Sequence, residues 1–413
     1  MYFPPNTGAS WDTLSPVKLE WCDEKINNLY QFLDSSSTKA FILLKDGKIV
    51  LEKYFNGHSA TSNWYWASAG KTLTAFLVGL AQQENYLHIS DTTSSYLGKA
   101  WTSCSAAQED KITIWHQLTM TSGLDDGVTD PFCTSDTCLK YKADAGIRWA
   151  YHNAPYTLLD SVLENATGRS LNTYTNQKVR TPTGMDGVYI KQGFNSVFFS
   201  TARSMARFGL LVLNKGNWNG NQILSDTNYY NDMVNTSQTL NKAYGYLWWL
   251  NGKSSFMVPQ LQSVFNGSMT PNAPNDMISA LGKNGQFINV IPSQNMVWIR
   301  MGEAPDNSLV PFTFNNDIWA KLNDMKCNTS RVFERKKSAY RADIYPNPAH
   351  DCISLILGDG FTPSDYEIRN SLGSVVAKGI YSNKIDVTQI AEGFYTLKLF
   401  NEKQAKSIKF IKN

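Results

Sequence analysis

No apolar run in the chain approaches the roughly 20 residues that a membrane-spanning helix requires. The apolar stretch 73–81, LTAFLVGLA, is less than half that length, so no membrane span is expected. Charge is scarce as well. Only 18% of the 413 residues are charged, the net charge is +3, and Lys and Arg are scattered rather than gathered into a basic block over most of the length. That argues against nucleic acid as a partner. Cysteine is sparse: the six residues at 22, 104, 133, 138, 327 and 352 are too few for a disulfide scaffold. None falls in the CxxC or Cys/His spacing of a zinc site, and no metal or other cofactor is expected. Cys133 and Cys138 alone lie close, in PFCTSDTCLKY. A Thr-, Ser- and Asp-rich loop lets such a pair close a small ring in an oxidising compartment; the competing reading is two ordinary thiols. The opening MYFPPNTGASW shows neither the charged nor the apolar region of a secretory leader.

What is present suffices for a large core. The hydrophobic fraction is 42%, and the length favours two domains. Ile26, Leu29, Tyr30 and Leu33 recur at helical spacing. Residues 39–56, KAFILLKDGKIVLEKYFN, then read as a hairpin around Asp-Gly. Helices are expected from Leu73 to about Asn85, over 155–167 beginning at Pro155, and over 201–214 behind Ser200 or Thr201. The passage YLHISDTTSSYL between them reads as loop. Two strands return in QFINVIPSQNMVWIRM, 286–301, with a turn at 292–295. Strands at both ends and helices between imply an α+β domain whose sheet joins N- and C-terminal segments. Near residue 331 the composition becomes charged and turn-forming, as in a linker. CISLIL, YEIRN, SVVAKGIY, KIDVTQI, FYTLKLF and AKSIKFIKN follow as short, regularly spaced strands of a small all-β sandwich.

The chemistry centres on WYWASAGKTLTAF, residues 64–76. A serine hydroxyl is a weak nucleophile until a base takes its proton, and a lysine of lowered pKa is such a base. At a helix start, Ser68 and Lys71 at i and i+3 share one face. Small residues at Ala67, Ala69 and Gly70 allow close approach to helix-start N–H groups that can polarise an oxyanion. Ser-x-x-Lys by itself is weak: Ser15–Lys18 and Ser36–Lys39 also match. The bland reading of Trp64, Tyr65 and Trp66 is a packed aromatic core. Tyr151-His152-Asn153 offers a second acid/base, because a phenol can be ionised beside a lysine ammonium. Tyr-x-Asn also occurs at 54–56 and 381–383, but the 151–153 copy stands just before a helix. His152 raises a Ser-His-Asp alternative for which no nucleophile partner is legible.

In their order along the chain, Ser68-x-x-Lys71, HQLTMTSGLDD at 116–126, Tyr151-x-Asn153 and Gly282-Lys283-Asn284-Gly285-Gln286 resemble the serine beta-lactamase-related hydrolases. That family includes class C beta-lactamases, DD-peptidases and esterases. WASAGKT, YHNAPY and GKNGQFINVIP look most like the 6-aminohexanoate-dimer hydrolase-like branch. The resemblance spans roughly residues 2–325 and implies a beta-lactamase/transpeptidase-like antiparallel sheet flanked by helices. It implies that Ser68 is acylated, Lys71 accepts its proton, and Tyr151 serves the leaving group. Asn153 would orient the substrate or Lys71. The N–H groups of Ser68 and Lys283 would form the oxyanion hole, and Gly282 and Gly285 would border the substrate. One departure stands out. Penicillin-recognising members carry Lys-Thr-Gly or His-Thr-Gly on the edge strand, where this chain reads Ala280-Leu281-Gly282. That lowers the expectation of beta-lactamase activity.

IYPNPAHDCISL, YEIRNSLGSVVAKG, IDVTQIAEGFYTLKL and KSIKFIKN resemble the C-terminal sorting domain of the type IX secretion system. Residues 1–330 are therefore expected to be the serine hydrolase domain, 331–341 a linker, and 342–413 an Ig-like sandwich that engages the secretion machinery. The resulting expectation is a secreted or cell-surface hydrolase of a small-molecule ester or amide. The alternatives are a beta-lactamase or DD-peptidase, and a non-catalytic ligand-binding surface protein.

Overall fold

Asp46 and Gly47 both take positive φ, 52° and 82°, the pair of values that a two-residue type I′ hairpin turn needs. In a computed structural model of the chain, this turn joins β1 (Thr38–Lys45) to β2 (Lys48–Tyr54). The structure describes residues 1–327, 342–357, 361–402 and 404–413. Helix α1 (Asp23–Ser35) precedes the hairpin and buries Ile26, Leu29 and Leu33, the face marked by its apolar spacing. Helices α2 (Lys71–Gln83), α3 (Asn153–Thr167) and α4 (Ala202–Leu213) follow. The chain then returns through β3 (Trp249–Leu250), β4 (Ile278–Gly282), β5 (Gln286–Ile291), β6 (Met296–Gly302) and α5 (Phe312–Asn323).

The sheet order is β2-β1-β6-β5-β4-β3, with antiparallel neighbours throughout. N- and C-terminal strands thus meet at β1 and β6. One face packs on α4, where a methyl group at Gly209 would lie 2.5 Å from Val297. On the other face, Trp298 meets Trp319 of α5 and Phe287 meets Phe314. Cover on both faces explains why β5 and β6 are buried along their whole length and read as apolar runs rather than alternating ones.

Three boundaries differ from the sequence reading. Helix α3 begins at Asn153 rather than Pro155, because proline is tolerated in a first turn whose N–H groups have no intrahelical partner. Helix α2 begins at Lys71, behind a 3-10 turn over Ala67–Gly70. The passage read as loop contains a short helix, Ser94–Leu97.

The chain divides into two compact units, Met1–Cys327 and Asn328–Asn413; the expected linker, 331–341, lies outside the described residues. In the second unit, strands Ala342–Tyr345, Cys352–Leu357 and Lys384–Asp386 form one sheet. Val375–Ile380, Asp365–Arg369, Gly393–Phe400 and Ala405–Lys412 form the other. Ile353, Ile368, Leu397 and Leu399 belong to their common core.

Cys133 and Cys138 are bonded to each other. A pairing that spacing could not reveal joins Cys22 to Cys327, 305 residues apart. Around it Cys22 N donates to Met325 O at 3.0 Å and Cys327 N to Glu20 O at 3.1 Å, so the bond ties the two ends of the first unit beside α1 and α5. Closing so long a loop contributes on the order of 2–4 kcal/mol. Cys22→Ser with Cys327→Ser is expected to lower the unfolding free energy by about 2–4 kcal/mol, read as a lower urea midpoint, with a slope that is not reduced because the unlinked denatured chain exposes at least as much surface. An unchanged midpoint would refute the assignment of this bond as a staple.

Candidate active site

The segment before the nucleophile candidate is fixed by its aromatics. Trp64 and Tyr65 pair with Ser200 and Phe199. Trp66 is fully buried against Phe198 and Phe208, with its indole N–H donated to Ser200 Oγ at 2.8 Å. Trp66 is therefore core. Ala67 takes φ +47°, a left-handed conformation that costs a non-glycine residue energy and turns the chain into the 3-10 turn. Ser68 and Lys71 then fall one helical turn apart. Lys71 Nζ donates to Ser68 Oγ at 3.2 Å and to Asn153 Oδ1 at 2.9 Å, so Asn153 orients the lysine.

Both hydrogen-bond partners of Lys71 are neutral, and its ammonium lies 4.0 Å from the centre of the Tyr156 ring and 5.4 Å from that of Tyr151. Burial lowers its pKa to about 7, and the buried Asp160 carboxyl opposes that shift. Burial pushes Asp160 itself up to about 7. The phenol of Tyr151 is within hydrogen-bonding reach of Ser68, and burial raises its pKa above the ordinary value. Desolvation outweighs the help of that hydrogen bond, so burial favours the protonated form of the phenol, which the sequence reading allowed to be ionised beside the lysine. The Tyr151 ring stacks on Trp249 at 5.7 Å and meets Tyr244 edge-on.

The end of β4 closes the site. A methyl group at Gly282 would lie 2.7 Å from Trp66 O, 2.9 Å from Ala69 N and 3.2 Å from Ser68 N, so the strand runs directly against the Ser68 amide. Lys283, with its side chain exposed, opens the 3-10 turn Lys283–Gly285. Asn284 Nδ2 donates to Tyr65 Oη at 2.7 Å. Gly285 is buried and its Cα faces the Arg300 guanidinium, 2.6 Å from a methyl group built there. The 116–126 segment, which starts in the helix Ile114–Leu118, reaches the same region through Ala150 N, which donates to Met120 O at 2.9 Å.

The geometry thus brings together Ser68, Lys71, Tyr151, Asn153 and Gly282. His152 is buried, its pKa is lowered to about 4 by desolvation, and neither ring nitrogen bonds to a protein group; a Ser-His-Asp arrangement is not formed. Sequence reading missed Tyr156 and Asp160, whose signal was a lone acid at i+7 from Asn153 on an otherwise apolar helix face. It also missed Arg300, a lone cation inside the apolar run MVWIRM.

Residues 36–307 match the sequence profile of the family described as Beta-lactamase, and residues 343–413 that of the Secretion system C-terminal sorting domain. No curated protein is a significant match. Among solved structures, a proposed 6-aminohexanoate-dimer hydrolase from Bacillus anthracis superposes with a TM-score of 0.58 at 20% identity, covering 78% of this chain and 87% of that one. A penicillin-binding protein homologue from Caulobacter crescentus gives 0.57 at 11% identity, covering 74% and 98%. EstCE1, a hydrolase with promiscuous acyltransferase activity, gives 0.53 at 12%, covering 72% and 97%. At these identities the structural likeness speaks for the fold alone.

Proposed function

The chain belongs to the beta-lactamase family, and from that membership we propose that it is a secreted serine hydrolase cleaving an ester or amide through an acyl-enzyme on Ser68. The observation that carries the reading is the 3.2 Å contact between Ser68 Oγ and a buried lysine whose pKa is lowered to about 7. Neutral Lys71 takes the Ser68 proton as Oγ attacks the substrate carbonyl. The N–H groups of Ser68 and Lys283 stabilise the resulting oxyanion. The protonated Tyr151 phenol donates to the departing alkoxide or amine, and the Lys71 ammonium, beside the Tyr151 ring, returns a proton to the phenolate, which leaves the lysine neutral and Ser68 Oγ acylated. Water then attacks the acyl carbonyl, gives its proton to the Tyr151–Lys71 pair, and Ser68 Oγ leaves with a proton from Lys71 as the acid is released.

The Ala280-Leu281-Gly282 strand end offers no ammonium or hydroxyl to a beta-lactam carboxylate, which favours simple esters or amides over penicillins. A panel of p-nitrophenyl esters, short amide oligomers, D-alanyl peptides and nitrocefin tests this. At least one ester or amide is expected to exceed nitrocefin by tenfold or more in kcat/KM. Nitrocefin as the best substrate would make the protein a beta-lactamase, D-alanyl peptides as the best would make it a DD-peptidase, and binding without turnover across the panel would make it a receptor. The sorting domain carries the chain to the cell surface or beyond, and the machinery we assign to it is the type IX system. Deleting 331–413 is expected to abolish export while kcat/KM stays within about twofold; lost activity in a folded truncation would show that the sandwich serves the site.

A further inference from the structure

Arg300 sits in the middle of β6 with no exposed surface. Its neighbours in the strand, Val297, Trp298, Ile299 and Met301, are all apolar and buried. Burying an unpaired cation is among the most costly substitutions a core can carry, and an aliphatic residue would fill the strand without that cost. Among the described residues, the guanidinium has no carboxylate as a hydrogen-bond partner. Its five N–H groups go instead to neutral oxygens: Nε to Thr38 Oγ1 at 3.0 Å, Nη1 to Asn284 O and Gly285 O at 2.8 and 2.9 Å, and Nη2 to Ser36 O and Glu303 O at 2.7 and 3.1 Å. The flat face rests 4.8 Å from the centre of the Phe314 ring.

Both Nη1 bonds reach the turn that carries the Lys283 amide. Asn284 and Gly285 take φ of 62° and 73°, consecutive left-handed residues whose carbonyls converge on the guanidinium. Gly285 is required there, because any side chain would collide with Nη1. Gln286 Nε2 braces the same turn at Lys283 O and Asn284 O, at 3.3 and 3.4 Å, while it also binds Gly302 O. On the other side of the turn, Gly282 lies against Ser68 N. A short, tightly packed path therefore runs from the buried cation through the turn to the nucleophile's amide.

We propose that Arg300 is a positioning residue for the oxyanion hole: its guanidinium fork fixes the Lys283–Gly285 turn, and so the Lys283 N–H, beside the Ser68 N–H. This deepens the acyl-enzyme reading and rests on it. An oxyanion donor acts on the transition state and little on the bound substrate, so its displacement has a kinetic signature that loss of support for the fold alone does not share. Lysine at 300 would keep the charge but can neither span five acceptors nor reproduce the fork.

The test uses the full chain with Arg300→Lys and Arg300→Met. It measures kcat and KM on the best ester of the panel and the second-order rate of Ser68 phosphonylation by a fluorophosphonate, with thermal midpoints recorded for each variant. We expect kcat and the phosphonylation rate to fall together by about 10- to 100-fold in both variants, short of the full loss of a donor, with KM within about threefold. Should either variant not fold, Gly285→Ala disturbs the same contact from the turn side and is expected to show the same split. A folded variant with the wild-type phosphonylation rate, or one altered only in KM, overturns the role of Arg300 and leaves the hydrolase reading intact. A wild-type chain that is not labelled at Ser68 overturns the hydrolase reading instead.

Discussion

Ser68→Ala is expected to cut kcat by about 10⁶-fold, the scale on which serine hydrolases respond to loss of the nucleophile, and to abolish fluorophosphonate labelling of the folded protein. Two other serines precede a lysine by three residues, and their surroundings show why neither competes. Ser36 Oγ donates to Phe32 O at 2.8 Å, while Lys39 points over the Trp64 ring at 5.6 Å. Ser15 caps a 3-10 turn without a side-chain cap bond, and its proline-led turn buries no residue. Only Lys71 is buried against its serine. The alanine variant loses only the contacts of one half-buried hydroxyl with Lys71 and Tyr151, so its unfolding midpoint should stay close to wild type. Peptide mapping that finds label on Ser15 or Ser36, or none on Ser68 in the folded wild-type chain, would sink the assignment.

The parts of this site that could be read from sequence are those built from neighbours along the chain. Ser68 and Lys71 share a helical turn, Tyr151 and Asn153 flank a helix start, and the Asp46-Gly47 turn fixes its hairpin locally. The central strands were legible because two-sided cover makes them uninterrupted apolar runs. What could not be read depends on which segments meet. Cys22 and Cys327 are 305 residues apart, and nothing local distinguishes them from Cys104 or Cys352, which stay unpaired. Gly285 reads as a turn glycine at the substrate's edge until Arg300 is seen to fill the space beside it. The protonation state of Tyr151 follows from burial, which no tripeptide reveals. Asp160 likewise gains meaning only when α3 lies against α2 and sets its carboxyl behind Lys71.

That arrangement makes the pH dependence the sharpest probe of the base. A lysine whose pKa is lowered to about 7 is an ammonium below that pH, unable to accept the Ser68 proton, and neutral above it. Wild-type kcat/KM is therefore expected to rise with pH through about 7 and level off, with no fall from Tyr151 ionisation in the ordinary phenol range because burial raises that group. The groups facing Lys71 are Tyr151, Tyr156 and Asp160; burial also raises Tyr156, which leaves Asp160, itself near 7, as the one that titrates with the lysine. The acid limb belongs to the Lys71–Asp160 pair rather than to either group. Asp160→Asn removes the charge that favours the ammonium, so the limb should move to lower pH. Lys71→Arg supplies the decisive contrast. Arginine can donate to Ser68 and Asn153 but stays protonated at every accessible pH, so a base role for Lys71 requires kcat to fall by about 10²–10⁴-fold and the acid limb to vanish. An arginine variant that retains turnover and the same limb would move the base elsewhere, leaving Lys71 as a hydrogen-bond donor alone.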